Sequence, residues 1–171
     1  QKYENDEILK KIESLTVKAE YLVKSDVDTK GAVLFIWSFN ELDKPMKNLF
    51  QMITSLRNKG VYEVCNAPVN DKSDIGKSKE YLYNANYQII EDSFGYLVCG
   101  TVKFISPVQK VDDKYEANLI ADIYALDMKN GNEILSFQKT NSSLGSNWND
   151  AVNSCTEELC DSIAEELVYG L

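Results

Sequence analysis

Three stretches of this 171-residue chain carry residue types that catalysis or ligand binding could use. Gly76-Lys77-Ser78 has the ending of a phosphate-binding loop, in which backbone N–H groups and a lysine cradle phosphate oxygens. That loop needs a glycine five positions before Gly76, where Asp71 stands, and no apolar run leads into it. The segment reads as a polar helix start. Asp127-Met128-Lys129-Asn130-Gly131-Asn132-Glu133 has some of the oxygen-bearing side chains of a calcium loop. An EF-hand, however, wants oxygen ligands at positions one, three and five, glycine at six and glutamate at twelve. Here Lys129 falls third, Gly131 fifth and Gln138 twelfth. Between two strand-like runs, Asn130-Gly131 predicts a type I′ hairpin turn instead, because both central positions need positive φ. The acid pairs Asp112-Asp113, Glu157-Glu158 and Glu165-Glu166 are the third possibility. Adjacent carboxylates on a helix diverge by about 100°, so these predict a solvated face rather than an acid/base couple.

Nucleophilic catalysis is narrowed by composition. The chain has no histidine, which removes Ser-His-Asp and Cys-His arrangements and the mixed Cys/His zinc sites. No Gly-x-Ser-x-Gly elbow occurs. The cysteines Cys65, Cys99, Cys155 and Cys160 include no Cys-x-x-Cys pair. Cys155 and Cys160 lie five apart on a predicted helix, too far for a mutual bridge. Cys65 and Cys99 fall in strand-like runs and could be sheet neighbours. Most of the four are expected to be small buried hydrophobes. Asn141-Ser142-Ser143 matches the glycosylation acceptor pattern.

Ten tyrosines and two tryptophans remain. Tyr81, Tyr83 and Tyr87 cluster on one predicted helix and are the candidate ligand or partner contacts. Such rings bury much area at little entropy cost. Trp37 and Trp148 are expected in the core.

The elements that must position these residues follow from hydrophobic period. Over residues 5–24, Ile8, Ile12, Leu15, Ala19 and Leu22 recur at helical spacing. Residues 32–39 are almost continuously apolar, which predicts a strand covered on both faces. Asp43 and Pro45 predict a helix start, with Met46, Leu49, Phe50, Ile53 and Leu56 on its face and Gly60 ending it. Residues 61–65 return as a strand. If parallel, the strand–helix–strand unit is a crossover. A third helix over 75–92 presents Ser78, Leu82, Ala85 and Ile89. Then comes a meander: 95–102, a polar loop over 106–115, then 117–127 and 134–137. A loop over 140–147 leads into a last helix with the stripe Trp148, Ala151, Val152, Cys155, Leu159, Ile163 and Leu167. The expected fold class is mixed α/β. A mixed sheet carries a strand–helix–strand unit, then a C-terminal antiparallel meander, with helices packed on it. The expected organisation is one domain over 1–171, with a leading helix and break over 1–30 and the α/β module over 31–171.

Charge and hydropathy restrict partners. The formal net charge is −9, from 18 basic and 27 acidic side chains, and Arg57 is the sole arginine. A nucleic-acid binder needs a basic stripe to release counterions, so no nucleic-acid partner is expected. No run of about 18 apolar residues is present, so no transmembrane segment is expected. The start at Gln1 rather than Met predicts a mature chain after signal-peptide removal.

Two phrases carry a family likeness. Phe94-Gly95-Tyr96-Leu97-Val98-Cys99-Gly100-Thr101-Val102 matches a strand entry. Residues 119–136, with Asp127, Gly131, Glu133 and Ile134, match a strand-turn-strand phrase. With the strand–helix–strand order before them, they resemble the periplasmic α/β module of envelope proteins. That group comprises the curli-secretion lipoproteins, the amino-terminal domain of TolB, and flagellar and peptidoglycan-accessory lipoproteins. The leading helix lies outside that pattern, and no segment looks like a pore-forming strand pair. The resemblance implies a non-catalytic module in the periplasm or at the outer membrane that binds other envelope proteins. It brings no catalytic residue and no cofactor. Two alternatives stand beside it: a small-ligand domain with a pocket lined by the tyrosines, and an enzyme with a thiol or hydroxyl nucleophile, Cys99 or Cys155 supplying the thiol.

Overall fold

The structure is a computed structural model and describes residues 31–67, 71–90 and 93–171. The helix expected over residues 5–24 lies outside the described residues. Strand β1 (Ala32–Phe39) is the centre, and its residues alternate between two separate cores. Ala32, Leu34 and Ile36 face one side; Val33, Phe35, Trp37 and Phe39 face the other. The continuous apolar run therefore does what its pattern predicts.

Around β1 the chain adds β2 (Pro45–Asn48), α1 (Phe50–Asn58), β3 (Val64–Asn66), α2 (Lys79–Ile90), β4 (Tyr96–Val111), β5 (Lys114–Asp127), β6 (Glu133–Gly145) and α3 (Trp148–Gly170). The sheet runs β2-β1-β4-β5-β6, and β3 pairs with β1 beside β2. β3 and β4 are parallel to β1; β2 is antiparallel to it, and β4, β5 and β6 form the antiparallel meander. The mixed α/β architecture, with helices on a mixed sheet, is as the sequence predicts.

Helix α3 packs on β5, β6 and α1. Its buried stripe of Ala151, Cys155, Leu159, Cys160, Ile163, Ala164 and Leu167 meets Ala117, Leu119, Ala121, Ile123 and Ala125 of β5 in one cluster. Alternating alanines on β5 leave room for the helix. Gly145 serves the same close approach, since a Cβ there would run into the Ala151 backbone. On the other face, Leu82 of α2 joins Leu97, Cys99, Leu126 and Met128. Two buried polar atoms, Trp37 Nε1 and Asn86 Oδ1, have no hydrogen-bond partner among the described residues.

Several local expectations need correction. Residues 45–48 are strand, not the start of a helix, and α1 begins at Phe50 without a side-chain cap. The cause is Asn40, whose Oδ1 accepts from the Leu42 and Lys44 amides and turns the chain back along β1. Asp43 takes φ of 55° in that turn instead of capping a helix. The strand expected over 61–65 is β3 at Val64–Asn66. The polar stretches 106–115 and 140–147 are mostly strand: β4 and β5 continue to a tight turn at Asp112-Asp113, and β6 extends to Gly145. The Asn130-Gly131 hairpin is present, but only Gly131 has positive φ, 73°, so the turn is not type I′. Asp127 Oδ1 accepts from the Lys129 amide and Asn130 Oδ1 from the Asn132 amide, which builds a longer loop.

Candidate functional site

A groove opens at the carboxyl end of β1, where the chain leaves the sheet. Ser38 and Phe39 end that strand, and the Asn40 turn throws Glu41 and Leu42 to one side of it. Met46 and Leu49 form a second wall, and Val102, Phe104 and Leu119 of β4 and β5 form the floor. Val152, Asn153 and Thr156, from the first half of α3, close the far side. An outer lobe continues past Met46, Phe104 and Val152 to Trp148. The lobes hold about 230 and 320 Å³.

Its rim is apolar and wet. Leu42 is 75% exposed, Met46 50% and Trp148 41%. Trp148 was expected in the core. It sits instead at the first turn of α3, where the capping bond from the Asp150 amide to Asn147 Oδ1 fixes the helix start and leaves the indole at the groove mouth. Gln51 and Asn153 bring amide side chains to the groove, and its other polar side chains are engaged. Thr156 Oγ1 donates to the Val152 carbonyl at 2.7 Å, and Glu41 Oε1 accepts from the Val108 amide at 2.6 Å. Lys103 lies over the Phe39 ring at 4.8 Å and 3.6 Å from Asp43. Among the described residues Glu41 is the one ionisable side chain lining either lobe. Such a surface can bury partner side chains; it offers little means of moving a proton.

The predicted site tyrosines lie on α2, against the opposite core. Tyr81 is 44% exposed, donates to Asp74 Oδ1 at 3.0 Å and has Lys77 over its ring. The Asp74 carboxylate, as acceptor and as a nearby negative charge, holds the Tyr81 phenol above its usual range. Tyr83 is half-buried, donates to the Met128 carbonyl at 3.1 Å and lies 5.2 Å from Tyr87, ring to ring. The structure thus brings Tyr83 and Tyr87 together and points Tyr81 at the Asp71–Asp74 turn.

The cysteines are all free thiols. Cys65 and Cys99 are not neighbours: β3 and β4 flank β1, so Cys65 pairs with Val33 and Cys99 with Phe35. Cys99 is buried, and desolvation pushes its thiol up to about 12 despite a hydrogen bond with Tyr124. Burial also raises Cys155, whose Sγ donates to the Asn141 carbonyl at 3.3 Å. Neither is placed as a nucleophile, which needs access and thiolate character. Modification of the native protein with a maleimide at neutral pH should label half-exposed Cys65 alone. Rapid labelling of Cys99 or Cys155 would revive the thiol-enzyme alternative.

Asn141 and Ser143 meet Glu158 across the β6–α3 seam. Asn141 Nδ2 and Ser143 Oγ both donate to Glu158 Oε2, at 2.7 and 2.6 Å, and these bonds hold the carboxyl below its usual range. The apparent glycosylation acceptor is therefore part of a structural bracket. A Ser-x-x-Lys spacing, the pattern of some hydroxyl nucleophiles, is present at Ser136 and Lys139. Residues three apart on a strand point to opposite faces, and Lys139 bonds Glu166 of α3 at 2.6 Å. The spacing is there without the geometry. Among the described residues no group of three or more metal-ligating side chains is assembled.

A family model described as "TP0693-like lipoprotein, C-terminal domain" matches residues 31–168, nearly the whole α/β module. The chain belongs to that family. The likeness to envelope lipoproteins drawn from the two sequence phrases therefore holds. Membership points to the bacterial envelope and to an exported accessory protein. No curated protein sequence matches it. Solved structures similar to it include the PelC dodecamer of Paraburkholderia phytofirmans, at 19% identity and TM-score 0.47 over 82% of this chain and 89% of that one. Lipoprotein GNA1162 of Neisseria meningitidis is similar at 14% identity and TM-score 0.45, over 81% and 99%. TolB of Acinetobacter baumannii is similar at 14% identity and TM-score 0.40, over 84% of this chain and 28% of that one. No described helix is long and apolar enough to cross a membrane.

Proposed function

We propose that this chain is a non-catalytic, single-domain accessory module of the bacterial envelope, periplasmic or associated with the outer membrane. Its groove docks an apolar segment of another envelope protein. The observation that carries the reading is the exposed set Leu42, Met46 and Trp148 around a groove whose only ionisable lining residue, among the described residues, is Glu41. Large apolar side chains left open together, on an otherwise charged surface, mark a docking place. The net charge of −9 favours a segment with a cationic flank. Tyr81, Tyr83 and Tyr87 are proposed as a second contact, with Tyr81 presenting its ring and the other two holding the helix.

A photo-crosslinking residue in place of Leu42 should give one defined adduct in cells. The same probe at Tyr169, on the exposed tail of α3, should not give it. The adduct should weaken with added salt and disappear when Met46 and Val152 are changed together to aspartate. An adduct indifferent to that double change would sink the groove as the docking site.

A further inference from the structure

Helix α2 covers only part of the sheet's second face. Lys79, at its start, bonds Glu133 and lies over the Tyr124 ring at 4.9 Å. Tyr124 is level with Cys99 and, across it, with Phe35 of β1. From there the helix runs toward the beginning of the strands. Tyr83 donates to the Met128 carbonyl, and the Met128 amide donates to Gly95, just ahead of β4. Trp37 and Phe39 lie beyond Phe35 in the opposite direction, past the start of α2. Both are nonetheless buried, at 5% and 8% exposure. Covering an indole and a phenyl ring takes about 150–250 Å² each. Ile75, from the loop ahead of α2, joins this cluster, and Lys103 lies over the Phe39 ring. Those two side chains supply a fraction of that cover. The same face holds the unpaired Trp37 N–H and, on α2, the unpaired Asn86 oxygen, and buried polar atoms ordinarily have partners.

The chain ahead of β1 has the length and the pattern to complete this face. Thirty residues precede Gly31, whose φ of 60° admits a turn directly before the strand. The stripe Ile8, Ile12, Leu15, Ala19 and Leu22 is about 21 Å long on a helix. Strand β1, with 8 residues, is about 23 Å long. The link from Leu22 to Gly31 reaches about 30 Å at full stretch. A helix antiparallel to β1 needs that link only to turn at Gly31. A parallel one needs it to run back along the whole strand and around the helix. So short a tether also presents the stripe to the face at a roughly millimolar effective concentration, ahead of any free partner.

We infer that residues 5–24 form a helix that covers the β1 half of the second face, beside α2 and antiparallel to β1. Ile8 then lies near Phe39, and Leu22 near Ala32. The groove floor, Val102, Phe104 and Leu119, belongs to the other face, so this inference does not rest on the docking reading.

The test uses the full chain with Cys65→Ser, which removes the half-exposed thiol. Residue 103 stands beside Phe39 on the second face. Ile8→Cys with Lys103→Cys should bridge within one chain under mild oxidation. It should do so at least about tenfold faster than Leu22→Cys with Lys103→Cys. A second measurement uses Trp148→Phe, which leaves Trp37 as the sole tryptophan. There Ile12→Asp with Leu15→Asp should shift the Trp37 emission to longer wavelength and lower the urea midpoint. Ser14→Asp with Val17→Asp adds the same charge off the stripe and should do neither. Three results would overturn the inference: faster bridging from position 22, bridges that link two chains, or a Trp37 emission indifferent to the aspartates on the stripe.

Discussion

Replacing Leu159 with alanine is expected to lower the unfolding free energy by about 2–5 kcal/mol. Leu159 is fully buried at the middle of the α3 stripe, within the cluster that includes Ala117, Ala121 and Ala125 of β5. Alanines on the facing strand have no length with which to fill the space a lost isobutyl group leaves. The strand itself is hydrogen-bonded to β4 and β6 on its two edges and cannot move inward. The cavity should therefore stay open, and the cost should sit in the upper part of that range. Typical domains are stable by only about 5–15 kcal/mol, so the variant should approach marginal stability. Urea unfolding followed by the fluorescence of buried Trp37 would read it as a lower midpoint with an unchanged slope. Leu42→Ala is the contrast: that side chain is 75% exposed, and its loss should stay within about 0.5 kcal/mol. Equal losses at the two positions would contradict the division into core and groove rim.

The second large effect is alkaline. Burial holds the Cys99 and Cys160 thiols neutral, each pushed up to about 12, and for Cys160 the neighbouring Asp161 and Glu157 charges add to the rise. In the unfolded chain the same thiols ionise near 9.0. Above that pH the unfolded chain releases protons that the folded chain retains, so ionisation favours unfolding. The contribution is intact below about pH 9 and is lost as pH rises toward about 12, by about 1.4 kcal/mol per pH unit for each thiol. Tyr124 acts in the same direction, its phenol raised chiefly by burial and then by the neighbouring Cys99. Stability measured by urea titration at successive pH values should fall steeply above 9. Cys99→Ala with Cys160→Ala should lower stability at neutral pH but flatten the alkaline slope. A slope unchanged by that pair would show that the thiols are not what titrates.

Whatever rests on local period is legible in the sequence alone. The run 32–39 is a strand buried on two faces, and the stripe from Ala151 to Leu167 is the buried face of α3. Both patterns are set by which residues follow one another in the chain. The polar segments 106–115 and 140–147 are different. Their residues form strand because β5 lies between them and supplies hydrogen bonds on both sides, with pairings such as Gln109 to Glu116 and Glu116 to Leu144. Half-exposed edge strands need little apolar content, so composition gives no warning. The helix start expected at Asp43 failed for a related reason: the Asn40 side chain closes a turn with two backbone amides, and Pro45 is tolerated on a short edge strand.

The candidate site was the least legible part. Trp148 continues the apolar period of α3, so spacing assigns it to the core; only the β1–β2 turn and the extension of β4 leave it at an open mouth. The groove is made from residues as far apart in the chain as Ser38 and Thr156, and no local motif marks such an assembly. By itself the sequence determined the two-sided central strand, the long amphipathic last helix and the lack of any histidine-based chemistry. The tertiary structure alone decided that β3 and β4 flank β1, that β6 comes last in the described sheet, and where apolar side chains stay in water. The reason is that period is fixed between near neighbours in the chain. Strand order and surface shape depend on contacts between distant residues, whose relative free energies the local pattern does not contain.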